Sequence, residues 1–581
     1  MIFYNLITMK KYKIYLSALI IVLVTLVSCN KFLEVNPKSN WKDDTFYSTK
    51  EEATLALSGI YSQLAKEELY GYKFNVTLEA GTDETYTNDP SPNWNAAKYA
   101  LTSSSDEVKG VWLKFYSCIQ LVNQFEKNLK PDMFSTEEYN RLLAKALFIR
   151  GFSYFTLANW FGPVPLRLTP STSQKDNILA PSPVFEVYKQ AEKDYLFAAE
   201  HLDHAKASTY NPGEPNKMAA HGLLARLYLK MGGYQPYLAD NDANCYFENP
   251  QQYFDKAKEQ CEIIINDGWH TIVPYSTDKD SYRNHFLNYL KDKYDLKESL
   301  FEISFGNLYA SGINVSGRLG NINGVEFVGT ANIPRGFANF NVALPVYEIY
   351  AAEDVRRNWS IAGYRNKYNS TTQLFTMTYI FDNPLHFEYG IGKFRRWEPT
   401  NITELKSKGT TGMVNAIYTI LNSTTGSDVD PNFTSINFPI LRYSDVLLMH
   451  AEAIIGGRYG TADGTAAVAS LNKVRERAGL TPYSGSLAHN DFFKELVDER
   501  LRELCFEGLR KQDLIRWNML EEKLIETNAA ITGHSSFIST DQYHQTYLEP
   551  GKNFDKSKHL LLPYPLQETL INTSLKQRLG W

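Results

Sequence analysis

FPILRYSDVLLMHAEAI (Phe438–Ile454), SLNKVRERAGL (Ser470–Leu480) and LVDERLRELCFEGLRKQDLIRW (Leu496–Trp517) decide the fold class of this 581-residue chain. Leu441, Val446, Leu447, Met449 and Ala453 recur at offsets that lay one apolar stripe along a helix, and three helices are predicted across the block. In the last of them Glu499, Glu503 and Glu507 stand four residues apart on one face, where like charges repel unless cations neutralise them. Arg500, Arg502 and Arg510 flank these acids, and Arg442, Arg475 and Arg477 lie on the preceding segments. The pattern predicts an ion-pair network that holds helices in register. A hydrolytic carboxylate pair is the competing reading, but such a pair normally comes from separate strands or loops lining a cleft.

Outward from this block, helical periodicity runs from about Lys50 to Asp267 and returns from Arg442 to Leu520. Leu142–Phe161 with Val184–Leu202 forms one helix pair, Met218–Met231 with Tyr253–Ile265 a second, and Tyr443–Ile455 with Ala466–Ala478 a third. Small Ala and Gly set against Leu and Tyr, a turn, and an Ala-centred second helix make these units TPR-like, and such units stack into an α-solenoid. The fold class is therefore mostly α: a TPR-like helical scaffold with a large irregular insert of loops and small hairpins. The insert covers residues 271–438, between a helical region at 29–270 and a second at 439–581. It is rich in Tyr, Phe, Asn, Gly and Thr, with strand-like runs at Leu300–Phe305 and Leu374–Phe381. A shorter irregular stretch, LEAGTDETYTNDPSPNWNAAKY (Leu78–Tyr99), interrupts the first helices.

At the N-terminus Lys10, Lys11 and Lys13 precede an apolar run, Ile14–Val27, and then Leu26-Val27-Ser28-Cys29. The run is short for a bilayer span and is flanked as a signal sequence should be, so residues 1–28 read as a signal peptide with translation starting at Met9. The small residue before Cys29 and the Leu three before it form a lipobox. Cys29 is then the acylated first residue, with the several chains that stable anchoring needs.

Composition excludes several classes. A formal charge of −5 without a dense Lys/Arg run argues against a nucleic-acid partner. Beyond Cys29, the cysteines Cys118, Cys245, Cys261 and Cys505 lack C-x-x-C spacing, so no zinc or redox motif and no cofactor is signalled, and the sequence assigns no disulfide. Asp240, Asp242 and Asn244 alternate like calcium-loop ligands, but Cys245 stands where Gly is required and Gln251 where the bidentate Glu belongs, so a polar connecting loop is preferred. Nucleophile-elbow, P-loop and H-E-x-x-H patterns are absent from the sequence.

The Phe438–Trp517 block, the lipobox and the ending LLPYPLQETLINTSLKQRLGW (Leu561–Trp581) resemble the SusD/RagB family. The resemblance implies a lipid-anchored protein exposed on the outer membrane that captures nutrient oligomers, usually glycans. It also implies delivery to a SusC-like TonB-dependent transporter, and binding rather than catalysis. For this ending it implies a hydrophobic strand, a Pro-rich turn and a short helix; the residues by themselves predict no helix at Pro563 and Pro565, one over Leu566–Leu575, and Trp581 docked on the core.

Sugar recognition needs flat apolar faces for ring C–H groups and planar polar side chains for hydroxyls. In the 78–99 stretch Asp83, Asn88 and Asn93 are candidates for hydroxyls, and Tyr86 and Trp94 for stacking. Gly81-Thr82-Asp83 is similar to the polar segment that family members carry at the ligand surface. Tyr309, Phe327, Phe340 and Trp397 are the central candidates, one or two of which are expected to touch ligand. Arg395 and Arg396 beside Trp397 are candidates for an acidic sugar, or for a structural Arg–Trp stack. Three other readings stay open: a surface polysaccharide hydrolase using Glu79, Asp83 or Glu84, a peptide-capturing relative, and an assembly protein that recruits only a protein partner.

Overall fold

The computed structural model describes residues 47, 49–74, 80–238, 245–306, 309–310, 313–314, 316–327, 334–369, 371, 374–380, 386–408, 413–415, 418–422, 430–578 and 580–581. The signal sequence, Cys29, Glu79 and the calcium-like Asp240, Asp242 and Asn244 lie outside the described residues, as does the side chain of Tyr309.

Helix α1 (Lys50–Leu64) starts at a capping box in which Thr49 Oγ1 accepts from Glu52 N–H and Glu52 accepts from Thr49 N–H. Helices α2 (Asp106–Asn128), α3 (Thr136–Phe161), α4 (Val184–His201), α5 (Lys217–Gly232) and α6 (Gln251–Asp267) follow and pack on one another in sequence. Helices α8 (Tyr443–Ile455) and α9 (Val468–Arg477) continue the stack after the insert, α8 lying on α6. The three TPR-like pairs expected from the sequence are therefore present, in a mostly α fold. Helix α3 is wholly buried from Ala146 to Phe161 because it passes between neighbours on all sides, which is why its apolar pattern shows little face preference.

Two elements depart from the sequence reading. Ser281–Leu290 is a helix, α7, inside the region read as loops and hairpins. Its stability comes from burying Tyr282, Phe286 and Leu290, a tertiary effect that local propensity does not carry. The segment read as one helix through Trp517 is two, α10 (His489–Leu504) and α11 (Arg510–Arg516). Phe506 and Gly508 adopt positive φ between them, so Glu507 sits in the turn and not on the helix face. At the C-terminus, residues 560–565 form no strand, the short helix ends at Ile571, and Trp581 rests on Lys558 and His559.

The acids nevertheless form the expected network, with Glu499, Glu503 and Glu507 buried at its centre. Glu503 accepts from Arg356 (3.2 Å), Arg442 (3.1 Å) and Arg477, while Glu499 accepts from Arg356 (2.6 Å) and Arg502 (2.9 Å). Glu507 accepts from Arg442 (2.7 Å) and Lys393 (2.8 Å). Arg475 and Arg502 also meet at Glu495. Arg356 and Lys393 come from the insert and were not anticipated. Arg500 turns instead to Asp445 and Asp513. Among the described residues the four cysteines are free thiols and buried, as small apolar side chains would be.

Strand Phe438–Arg442 pairs with Ser299–Ile303 and lies against α5, where a Cβ at Gly222 would stand 2.3 Å from Leu441 Cδ2. The larger sheet is antiparallel, in the order Thr85–Thr87, Phe340–Val342, Gly390–Ile391, Ile361–Ala362. Its first strand belongs to the 78–99 stretch, with Tyr86 opposite Asn341. This pairing fixes the stretch against the insert.

Burial raises the Glu503 carboxyl, but Arg477, Arg442 and Arg356 outweigh it and hold the group down at about 2. A carboxyl depressed in the folded state contributes stability above its unfolded value of about 4.3 and loses it as pH falls toward the folded one. Acid unfolding followed by circular dichroism should therefore begin below about pH 4, with Glu503→Ala losing about 3–5 kcal/mol at neutral pH because three guanidinium groups lose a buried partner.

Candidate ligand-binding site

A cleft of about 550 Å³ opens where the 78–99 stretch, the insert and the C-terminal helices meet. Asn88 and Asp89 line it from the 78–99 stretch, Phe337, Ala338, Asn339, Asn341, Tyr364, Arg365 and Glu388 from the insert, and Asp541–His544 from the C-terminal region. Asp541 caps the short helix Gln542–Tyr547 by accepting from Tyr543 N–H (2.8 Å) and His544 N–H (3.1 Å). That cap turns Tyr543 outward, with 57% of its surface exposed beside amide and carboxylate groups. A flat apolar ring next to planar hydrogen-bonding side chains is the surface that a sugar ring needs.

The candidates from the sequence fall at three depths. Asn88 lines the cleft, while Asn93 is exposed outside it. Tyr86 is buried under the floor, where its hydroxyl donates to Phe387 O (2.7 Å) and its ring lies 4.1 Å from that of Tyr547. Asn341 Nδ2 donates to the same Phe387 carbonyl (2.9 Å).

Trp94 is 5% exposed and offers no free face for stacking. Its Nε1–H donates to Asp89 Oδ2 (2.8 Å) and its ring packs edge-on to Phe340 at 5.3 Å, so it positions the acid on the cleft wall. Phe340 is correspondingly buried. Phe327 and Trp397 pack together at 5.0 Å with Phe375 and Tyr418 in a separate hydrophobic cluster. Burial takes all four rings, Trp94, Phe327, Phe340 and Trp397, out of reach of a ligand and corrects the stacking roles expected of them.

Asp83 is likewise buried. Its two oxygens accept from Arg510 Nε (2.9 Å) and Nη2 (2.7 Å), a bidentate pair that ties the stretch to α11. Glu84 is buried beside it. Neither carboxylate lines the cleft, which removes the arrangement expected of a hydrolase built on Asp83 and Glu84. Arg395 lies over Trp359 and donates to Tyr364 and Trp359, while Arg396 donates to the carbonyls of Arg335, Pro431 and Phe433. Both arginines are structural.

Tyr543 was missed because it lies more than 100 residues from the insert and only tertiary packing brings it to the cleft; its helix cap, Asp541, was the one local signal. Among the described residues, His285, Asp295 and Glu298 have spacing that suits a metal. Glu298 already accepts from Arg442 (2.5 Å) and Arg477 (2.6 Å), and His285 Nδ1 lies 2.9 Å from Asp295, so the group belongs to the ion-pair network.

A family model described as "SusD family" matches residues 343–581, and one described as "Starch-binding associating with outer membrane" matches residues 31–229. SusD-like protein P2 from Formosa agariphila is 24% identical, over 98% of this chain and 99% of its own length. The starch-binding protein SusD of Bacteroides thetaiotaomicron is 23% identical over 72% of each chain. Among solved structures, a SusD homolog from Bacteroides thetaiotaomicron superposes with a TM-score of 0.75 at 23% identity, covering 93% of this chain and 98% of the other. A laminarin-binding SusD-like protein gives 0.64 at 20% identity, covering 92% and 100%. These likenesses agree with the helical stack and the sheet that frames the cleft.

Asp83→Ala should leave Arg510 buried without its partner and lower stability by about 3 kcal/mol in urea denaturation. A ligand-contact role without a structural one would weaken binding and leave the denaturation midpoint unchanged.

Proposed function

The chain belongs to the SusD/RagB family, and we propose that it captures a glycan in the cleft between Asn88 and Tyr543 and delivers it to a TonB-dependent transporter of the outer membrane. The observation that carries this reading is the exposed Tyr543 ring set among Asn88, Asn339 and Gln542 in an open polar cleft. The floor beneath it is rigid, since Tyr86, Phe387 and Tyr547 pack ring on ring, so little ordering is needed when a ligand arrives. No bond is made or broken in this role. The named starch-binding and laminarin-binding relatives support glycan as the ligand class.

Outer-membrane association is part of the description of the matching N-terminal model. The lipobox ending at Cys29 supports a lipid anchor and exposure at the cell surface. Among the described residues no helix is long and apolar enough to cross a membrane. Contact with the transporter falls to the helical scaffold, as stacked helical repeats commonly present protein-binding faces.

The chain from Asn30 onward, run through native gels containing starch, laminarin and other polysaccharides, should be retarded by one of them without release of reducing ends. Tyr543→Ala should weaken that retardation about tenfold, the worth of one aromatic contact. Released reducing ends would contradict capture without catalysis.

A further inference from the structure

We infer that the glycan held in this cleft is uncharged, and that uronate-bearing and sulfated polysaccharides are excluded. The inference rests on the proposed reading of the cleft as the glycan site. Among the described residues, four carboxylates, Asp89, Glu326, Glu388 and Asp541, line it against a single guanidinium, Arg365. Arg365 is committed to Glu388. Asp89 accepts from Trp94 Nε1–H and Ser91 N–H, and Asp541 from two backbone N–H groups, all of them neutral donors. His544 accepts the Ile538 N–H at Nδ1 (2.9 Å).

Three basic side chains among the described residues, Lys98, Arg395 and Arg396, are engaged elsewhere. Lys98 donates to the carbonyls of Pro90 and Ser91 (both 2.9 Å) and stands 3.9 Å from Glu549. Arg395 and Arg396, which the sequence offered to an acidic sugar, are buried against carbonyls and rings outside the cleft.

A sulfate or carboxylate entering the cleft therefore meets like charge and loses water without gaining a partner. Sugar hydroxyls meet the reverse: each is a neutral donor, and a carboxylate acceptor makes the stronger, charge-assisted bond with it. Hydroxyls and acids together account for a cleft whose described lining is rich in acceptors.

The test compares laminarin and soluble starch, each native and chemically sulfated, with alginate as a uronate polymer, in the same affinity gels. A native glucan should retard the protein, its sulfated form should bind at least about tenfold more weakly, and alginate should not bind. Raising NaCl from about 0.05 M to about 0.5 M should strengthen what sulfated binding exists, because screening reduces repulsion. Glu326→Lys combined with Glu388→Lys should narrow the gap between native and sulfated forms. If that variant does not fold, the salt series on the unaltered protein decides the sign by itself. Equal or tighter binding of a sulfated form or of alginate would overturn the charge assignment while leaving glycan capture intact. Retardation by none of these, nor by any neutral polysaccharide, would overturn both.

Discussion

Glu503 holds this molecule together in a literal sense. Its carboxylate, fully buried at the end of α10, gathers Arg356 from the insert, Arg442 from the strand before α8 and Arg477 from α9. Three stretches far apart in sequence are thereby fixed to one atom group. Taking so many charges out of water is unfavourable unless every one is paired, and the surrounding geometry meets that condition: Glu499, Glu507 and Glu298 supply the remaining acceptors, and Lys393 a further donor. Hydrophobic packing stabilises the helical stack, whereas this network determines which surfaces of the stack and the insert face each other.

The cleft is a consequence of that registration. Lys393 and Arg356 seat the insert on the C-terminal helices, Arg510 seats the 78–99 stretch on α11 through Asp83, and the strand pair Thr85–Thr87 with Phe340–Val342 closes the frame. Asn88 and Asp89 follow that strand immediately and so emerge facing the helix that carries Tyr543. The aromatic residues divide the work. Tyr86, Trp94, Phe340 and Phe387 are buried and make the frame stiff, and Tyr543 is left exposed to meet a ligand.

What the sequence disclosed follows from what local patterns can carry. The paired helices were readable because each has its own apolar period. The acid network was readable because Glu499 and Glu503 share a helix face, and that spacing requires cations. Arg356 and Lys393 were invisible as partners because neither lies in a periodic segment. The stretch 78–99 was located as a site wall, but whether Asp83 and Trp94 face a ligand or turn inward was open in a polar loop, and only the positions of Arg510 and Phe340 show that both turn inward. Tyr543 carried no such signal, since one Tyr in the polar run Asp541–Gln545 is ordinary until the opposite wall is known.

The central claim is that ligand lies between Asn88 and Tyr543. Crystals grown with an oligosaccharide of whichever polysaccharide retards the protein give the most direct answer. The account predicts sugar density in the cleft, with one ring over Tyr543 and hydroxyls directed at Asn88 and the neighbouring carboxylates. Density on the helical face, or in any other cleft with this one empty, would contradict it.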